Sequence, residues 1–395
     1  MNVMMINHFP IAGSGSGTYT RNIAVHLMKK GHNVCIVLPE NTAQYNGIPG
    51  AVMYPVFFTY DEHIKDALPF NFPCFTTHPR SVMSFFDLDE KQLEAYLSAF
   101  EKTIEKAIEE FKPDVIHAQH IWLLAWLARK TNVPYVITAH GTDLMGFQKS
   151  ARFRQYAREA ADGSRRIITI SNDNDELVRQ LFPGCADKTV FMQNGYDPER
   201  FFPEQLTKEQ VLARYDVNPL KYLVLFTGKL AHFKGVDVLL DAARLYEGEH
   251  PGEILTLLAG DGELSLQLKK HAEDNMLKDL HFLGFLDILQ LRGLYSVADV
   301  SVVPSRREPF GLVALEALAC GCPVVATNQG GLPDIINDEV GSLVDVDDAF
   351  GLSAAIQREL FRPDRLERRN RAAEYAVEKY AQEHMIDGLV EIFNS

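Results

Sequence analysis

Three short runs carry residue types that could do chemistry. Ala12-Gly13-Ser14-Gly15-Ser16-Gly17-Thr18 is a glycine turn leading from an apolar run into a helical segment. Backbone N–H groups left unshielded at a helix start suit a phosphate or a carboxylate. Thr227-Gly228-Lys229-Leu230-Ala231-His232-Phe233-Lys234-Gly235 brackets a turn with two cationic heads, which suits a diphosphate. It is not a Walker loop, because the preceding glycine at the required spacing and the following hydroxyl are both missing. Ser305-Arg306-Arg307-Glu308-Pro309-Phe310-Gly311-Leu312-Val313-Ala314-Leu315-Glu316 supplies two carboxylates. Pro309 fits a first helical turn, which sets Glu308 just ahead of the helix and Glu316 about two turns inside it.

Each run also has an ordinary structural explanation. An acidic residue at a helix start is favoured by the dipole alone, which suffices for Glu308. Glu316 is harder to dismiss: among Leu315, Ala317 and Leu318 it is a partly buried carboxylate that needs partners. Surface lysines are commonly solvated, and a lone glycine loop is often only a tight turn. Glu40, after the second apolar run, invites comparison with a dinucleotide fingerprint, but Gly13-x-Gly15-x-x-Thr18 lacks the final small residue. His117, His120, His140 and Asp143 could be read as metal ligands. Their spacing does not match a helical histidine pair, and strand-end histidines lining a cleft account for them better.

The elements that must position these runs follow from periodicity. Short apolar runs rich in β-branched residues alternate with segments of helical period, the pattern of a parallel sheet covered on both faces by helices. Strands are expected at Val3–Asn7, Val34–Leu38, Val115–His117, Tyr135–Thr138, Ile167–Ile170 and Val190–Met192, with helices Gly17–Lys30 and Leu93–Phe111 among them. A second series starts after Asp197-Pro198-Glu199-Arg200-Phe201-Phe202-Pro203, with strands at Tyr222–Thr227, Ile254–Ala259, Leu280–Leu283, Val300–Val303 and Pro323–Ala326 and helices that include Val236–Tyr246 and Leu312–Ala319. The expected architecture is α/β: two Rossmann-like doubly wound domains, over residues 1–200 and 201–372, facing one another across a cleft at the carboxyl ends of their sheets.

Other segments depart from that pattern. Tyr54–Phe86 is dense in aromatic residues and prolines and reads as a long structured loop, either extra core or a lid that shapes a substrate site. The basic run Arg358–Arg371 is interrupted by acids and reads as a solvated helix face. Arg152, Arg154 and Arg158 read the same way, with an anion-reading role as the alternative. A last helix at about Arg371–Phe393 follows no strand.

Composition narrows the function classes. The 395 residues carry 39 Lys+Arg against 53 Asp+Glu, a formal net charge of −14, unfavourable for a nucleic-acid backbone but no obstacle to a local cationic site for one small anion. Five scattered cysteines, Cys35, Cys74, Cys185, Cys320 and Cys322, read as reduced core residues. The amino terminus has neither basic flank nor cleavage site and no run approaches a membrane span, so the expectation is a soluble cytoplasmic protein.

The run Glu308 to Glu316, with Pro304-Ser305 before it and Ala319-Cys320-Gly321-Cys322-Pro323-Val324-Val325-Ala326-Thr327 and Gly330-Gly331-Leu332-Pro333-Asp334 after it, resembles the signature of the retaining GT-B glycosyltransferases of family 4. Further matches stand in the family's order: Lys112-Pro113-Asp114-Val115-Ile116-His117, Ala139-His140-Gly141-Thr142-Asp143, Asn194-Gly195-Tyr196-Asp197 and Ala259-Gly260-Asp261-Gly262-Glu263. The resemblance covers nearly all of the chain except Tyr54–Phe86.

It implies an amino-terminal acceptor domain, a carboxyl-terminal donor domain and a final helix, about 373–395, packed back on the first. It also implies a nucleoside-diphosphate sugar as co-substrate, with no obligatory metal or cofactor. In that reading Glu308, His140 and Lys234 are catalytic. Lys229 and Lys234, with Gly228, Phe310, Gly311 and Leu312, hold the diphosphate. Glu316 binds the ribose and Leu286 the nucleotide, while Gly13, Gly15 and Gly17 lie near the diphosphate or the acceptor. Asp143, Asn194 and Arg152 are acceptor candidates. Lys229 stands where the family usually has arginine, and lysine lacks the planar fork. The acceptor is a small molecule, a glycan or a lipid-linked sugar. Nucleic acid is excluded, no transmembrane segment is expected, and peripheral membrane contact and oligomeric state are left open. A sugar-nucleotide epimerase or hydrolase of the same architecture and a non-catalytic nucleotide-sugar binder are the alternatives.

Overall fold

The computed structural model describes residues 1–59, 64–76 and 78–395. Tyr60, one of the aromatic residues of the Tyr54–Phe86 segment, lies outside them. The chain divides into two compact units, residues Met1–Asn194 with Gln382–Ser395, and Gly195–Ala381.

The first unit is a seven-stranded sheet of β1 (Asn2–Ile6), β2 (Asn33–Glu40), β3 (Val52–Phe57), β4 (Val115–Gln119), β5 (Tyr135–Thr138), β6 (Arg166–Thr169) and β7 (Thr189–Phe191). All its pairings are parallel and the order is β3-β2-β1-β4-β5-β6-β7. The inner strands are apolar on both faces because helices cover both. The Glu90–Phe111 helix shows how local sequence sets an element. An Asp89/Gln92 capping box starts it, Leu93, Tyr96, Phe100, Ile104 and Ala107 bury one stripe, and Lys112 at φ +52 ahead of Pro113 stops it.

The second unit is a six-stranded sheet of β8 (Tyr222–Thr227), β9 (Ile254–Ala259), β10 (Leu280–Gly284), β11 (Val300–Val303), β12 (Val324–Thr327) and β13 (Gly341–Val344). Its order is β10-β9-β8-β11-β12-β13, again parallel. Both sheets therefore reverse direction of growth once, between β1 and β4 and between β8 and β11, and ligands of such sheets bind at the carboxyl ends flanking that reversal.

The expected strands are present, and each sheet adds an edge strand that the pattern did not show. β3 carries Pro55, which an edge strand tolerates. β13 opens on Gly341, where a Cβ would lie 2.0 Å from the Val324 carbonyl, so close backbone approach rather than side-chain pattern defines it. The single helix expected over about 371–393 is two, Arg365–Tyr380 and Gln382–Asn394. Ala381 between them is extended and bridges to Tyr196, a tertiary pairing that overrides local helical preference. Only the second helix belongs to the first unit, where Met385, Ile386, Leu389 and Phe393 pack with Val3, Met5, Ile23 and Leu27.

The basic run is a solvated face only in part: Arg358 is exposed, whereas Arg368 and Arg369 are spent on the fold. Arg368 is buried on Glu359, donating at 2.8 and 2.9 Å to its two oxygens, and Arg369 donates to the Ser296 and Ala298 carbonyls. Much of the aromatic segment is core: Phe58, Phe72, Phe75 and Phe85 are buried with Tyr96 and Trp122. All five cysteines are free and buried. Among the described residues no helix is long and apolar enough to cross a membrane.

Candidate active site

At the reversal of the second sheet, β8 runs out into Gly228–Gly235 and β11 into Pro304–Gly311. The two loops are stitched together by backbone. Arg306 and Arg307 N–H groups donate to the Phe233 carbonyl at 2.9 and 3.1 Å. Gly235, at φ +63, sits so close that a Cβ would lie 1.9 Å from the Pro304 carbonyl oxygen, so only glycine fits. The Arg306 guanidinium then clamps the turn, donating to both Asp237 oxygens at 2.8 and 2.7 Å, to Asp347 at 2.6 Å and to the His232 carbonyl at 2.8 Å.

That frame brings Lys234 and Glu308 together. Lys234 Nζ donates to Glu308 Oε2 at 2.5 Å and Ser305 Oγ donates to the same oxygen at 3.2 Å. Ser305 is held in turn by Thr327, whose hydroxyl donates to its carbonyl at 2.6 Å. Glu308 is only 8% exposed, so the pair works at reduced solvent screening. The Gly331 N–H donates to the Glu308 carbonyl at 2.9 Å, and a Cβ on Gly330 would strike that carbonyl at 2.0 Å. Glu308 is thus a loop residue clasped by the diglycine turn. The helix runs over Leu312–Ala319 as expected, with Gly311 at φ +110 as its cap, and Pro309 lies in the loop ahead of it rather than in a first helical turn.

Phe310 is buried, and no side chain caps the Leu312–Ala319 helix. Glu316 projects from it next to Tyr295, whose hydroxyl is bonded to Thr227 at the end of β8. Glu316 keeps part of its surface exposed, yet burial pushes its carboxyl up to about 8 against the pull of Arg200. Lys229 Nζ lies 3.3 Å from Glu263 Oε2, Gly228 has φ +147, and Leu286 is buried just past β10.

The first unit's reversal gathers a second set. A Cβ on Gly17 would lie 2.3 Å from the Pro10 carbonyl, and one on Gly13, at φ +93, 2.7 Å from His78 Nε2, whereas Gly15 has open space. Packing therefore explains Gly13 and Gly17. Ser14 Oγ already accepts the Gly17 N–H at 3.0 Å, and His78 reaches the Ala12 carbonyl at 3.1 Å. Glu40 is taken by Arg80 of the aromatic segment, which closes the dinucleotide comparison.

His140 is buried past β5, with Nε2 2.8 Å from Gln119 Oε1 and its ring against Tyr19 and His120, 5.0 and 4.8 Å between centroids. Burial lowers it to about 3, so it is neutral at physiological pH. Asp143 Oδ2 accepts the Ile121 N–H at 2.7 Å, and burial raises its carboxyl to about 6 while backbone N–H groups pull it down. Asp143 thus ties two loops together. Asn194 is buried with Oδ1 free of any hydrogen bond. Arg152 is spent on structure, on the Leu88 carbonyl and on Glu90 at 2.9 Å, and Arg154 on the Phe147 and Gln148 carbonyls. Among the described residues no group of three or more His, Cys, Asp or Glu is arranged to hold a metal ion.

Sequence reading passed over Gln119, His78 and the structural role of Arg306. Arg306 stands inside the quoted run, but nothing local says that its partners are Asp237 and Asp347.

Two doubly wound parallel units, each with its polar cluster at the carboxyl ends of its strands, define a doubly wound α/β protein. Comparison with known proteins narrows this. Residues 13–200 match Glycosyltransferase Family 4 and residues 208–379 match Glycosyl transferases group 1. Glycogen synthase of Mycobacterium tuberculosis is 38% identical over 279 residues, 67% of this chain and 64% of that protein, so the chain spans less than two thirds of that relative. A D-inositol 3-phosphate glycosyltransferase of Saccharomonospora viridis is 32% identical over 339 residues, 78% of this chain and 77% of that protein. The chain belongs to the family 4 glycosyltransferases. Its fold is GT-B: sucrose-phosphate synthase from Thermosynechococcus elongatus superposes with a TM-score of 0.78 at 21% identity, covering 100% of this chain and 98% of that one. Anabaena HepE, solved with UDP and glucose, superposes at 0.76 and 18% identity, covering 100% of both chains.

Proposed function

We propose that this protein is a retaining glycosyltransferase that moves a sugar from a nucleoside-diphosphate sugar, UDP- or GDP-linked, to a hydroxyl of an acceptor, without an obligatory metal, in the cytoplasm. The observation that carries the proposal is the Lys234–Glu308 pair, shared with Ser305 and clasped by two glycine turns at the sheet reversal. Family membership and the UDP and glucose held by HepE support the donor class.

Breaking the anomeric C–O bond leaves negative charge on the diphosphate and positive charge on the sugar. Lys234 and Lys229, with the N–H groups of Phe310, Gly311 and Leu312 at the uncapped helix start, stabilise the former. Glu308 holds a hydroxyl of the transferred sugar through the carboxylate that Lys234 orients, and Glu316 accepts from the ribose hydroxyls. His140, neutral and pinned by Gln119, offers a polar contact to the sugar without adding charge. Retention follows from front-face attack, in which the leaving diphosphate accepts the acceptor's proton and no protein base is required.

The test is incubation with UDP-, GDP- and ADP-sugars and a broad acceptor panel, with and without chelator, alongside E308Q. Transfer is expected to release nucleoside diphosphate, to give a glycoside of the donor's anomeric configuration, to survive chelator and to fall at least about 100-fold in E308Q. Interconversion or hydrolysis of the nucleotide sugars with no glycoside formed would instead support the epimerase or hydrolase reading, and binding with no turnover the non-catalytic one.

A further inference from the structure

Each of the two cationic heads proposed to hold the diphosphate already has a carboxylate beside it. Lys234 is paired with Glu308, and Lys229 lies 3.3 Å from Glu263 Oε2. The two pairs differ in construction. Glu308 is nearly buried and clasped by backbone, whereas the Glu263 side chain is 49% exposed.

The position of Glu263 is nevertheless set by the fold. The Leu230 N–H donates to the Asp261 carbonyl at 3.0 Å and the Leu264 N–H donates to the Leu230 carbonyl at 3.0 Å, so backbone bonds on both sides of Glu263 lash its loop to the turn that carries Lys229. A Cβ on Gly262 would lie 2.4 Å from the Leu230 carbonyl and one on Gly260 1.8 Å from the Gly228 carbonyl, which only this close approach explains. Asp261 turns the other way, accepting from the Gly262 N–H at 2.8 Å and from the Ser265 hydroxyl.

We infer that Glu263 is an internal stand-in for the donor's diphosphate: it shares the Lys229 charge while the site is empty, yields it to a bound nucleotide, and reclaims it as the nucleoside diphosphate leaves. This rests on the donor-site reading given above and deepens it. A carboxylate and a phosphate oxygen compete for the same ammonium protons, and the fixed negative charge also repels the diphosphate. Glu263 therefore weakens nucleotide binding and speeds product release.

The test is calorimetric titration of the full chain with UDP, GDP and ADP, for wild type, E263Q, K229Q and the double variant, at low and moderate salt. E263Q keeps the shape and removes the charge. It is expected to bind the preferred diphosphate about three- to fivefold tighter, in keeping with a half-exposed ion pair, with the gain shrinking at higher salt. In the K229Q background the same substitution should give a clearly smaller gain, because the contested cation is gone. A diphosphate that binds wild type and E263Q equally would overturn the inference while leaving the donor site standing. So would an equal gain from E263Q with and without Lys229, which would reduce Glu263 to a distant repulsive charge. If none of the three diphosphates binds wild type or E263Q, the donor-site reading itself is wrong and the inference falls with it.

Discussion

The raised carboxyl of Glu316 makes a two-sided prediction. The side chain is held at about 8 by burial, against an ordinary value of 4.5, so in the empty protein it is mostly protonated near neutrality. Between those two values the folded state binds more protons than the unfolded state, and stability falls as pH rises, by up to about 1.4 kcal/mol per pH unit. Water still reaches part of the residue, which brings the expected total loss down to about 1–3 kcal/mol. Removing the ionisable group with E316Q should therefore leave unfolding free energy near that of wild type at pH 5 and raise it by about that amount at pH 8.5. Nucleotide binding should show the complementary sign. If the ionised carboxylate accepts the ribose hydroxyls, affinity of wild type for the diphosphate should rise by up to tenfold per unit as pH climbs from 6 toward 8, about 1.4 kcal/mol, and E316Q should lose that slope. Urea melts of both proteins at the two pH values, with calorimetric titrations across the range, measure both sides. A stability difference independent of pH, together with parallel pH–affinity curves, would refute the reasoning.

Three further outcomes follow from the geometry. K234A should lower kcat/KM at least about 100-fold, since it removes a fixed cation from the leaving group and leaves Glu308 buried beside Ser305 alone; activity within tenfold of wild type would count against the assignment. G235A should destabilise the second unit by about 2 kcal/mol or more, from a Cβ at φ +63 pressed on the Pro304 carbonyl, whereas G15A, facing open space, should melt within about 0.5 kcal/mol of wild type. R368M should cost about 1–3 kcal/mol in denaturant unfolding, since buried Glu359 loses both Arg368 bonds and keeps only Arg362 and Ser342, with activity per folded molecule unchanged.

Much of this was legible beforehand. The doubly wound series, the start of the second series after Pro203, the three chemistry-bearing runs and the resemblance that orders them are local properties, written in apolar periodicity, glycine placement and short motifs. β3 and β13 were hidden because edge strands paired on one side need no strong apolar signature, and Pro55 and Gly341 argue against a strand when read alone. The helix break at Ala381 was hidden because no local breaker marks it and its cause is Tyr196, far away in the chain.

The site divides the same way. Sequence by itself determined which residue types stand past the carboxyl ends of the strands: Lys229, Lys234, Glu308 and Glu316 after β8 and β11, His140 and Asp143 after β5. Only the tertiary structure decided their partners. Lys234 meets Glu308 because Gly235 lets one loop lie on the carbonyl of the other, Lys229 meets Glu263 because Gly260 and Gly262 let two turns touch, and Arg152 is tied to Leu88 and Glu90. Hydrogen bonds and charge pairing act over a few ångströms, while these partners are separated by tens of residues of chain. Which charge ends beside which is therefore a property of the closed sheet and its loops.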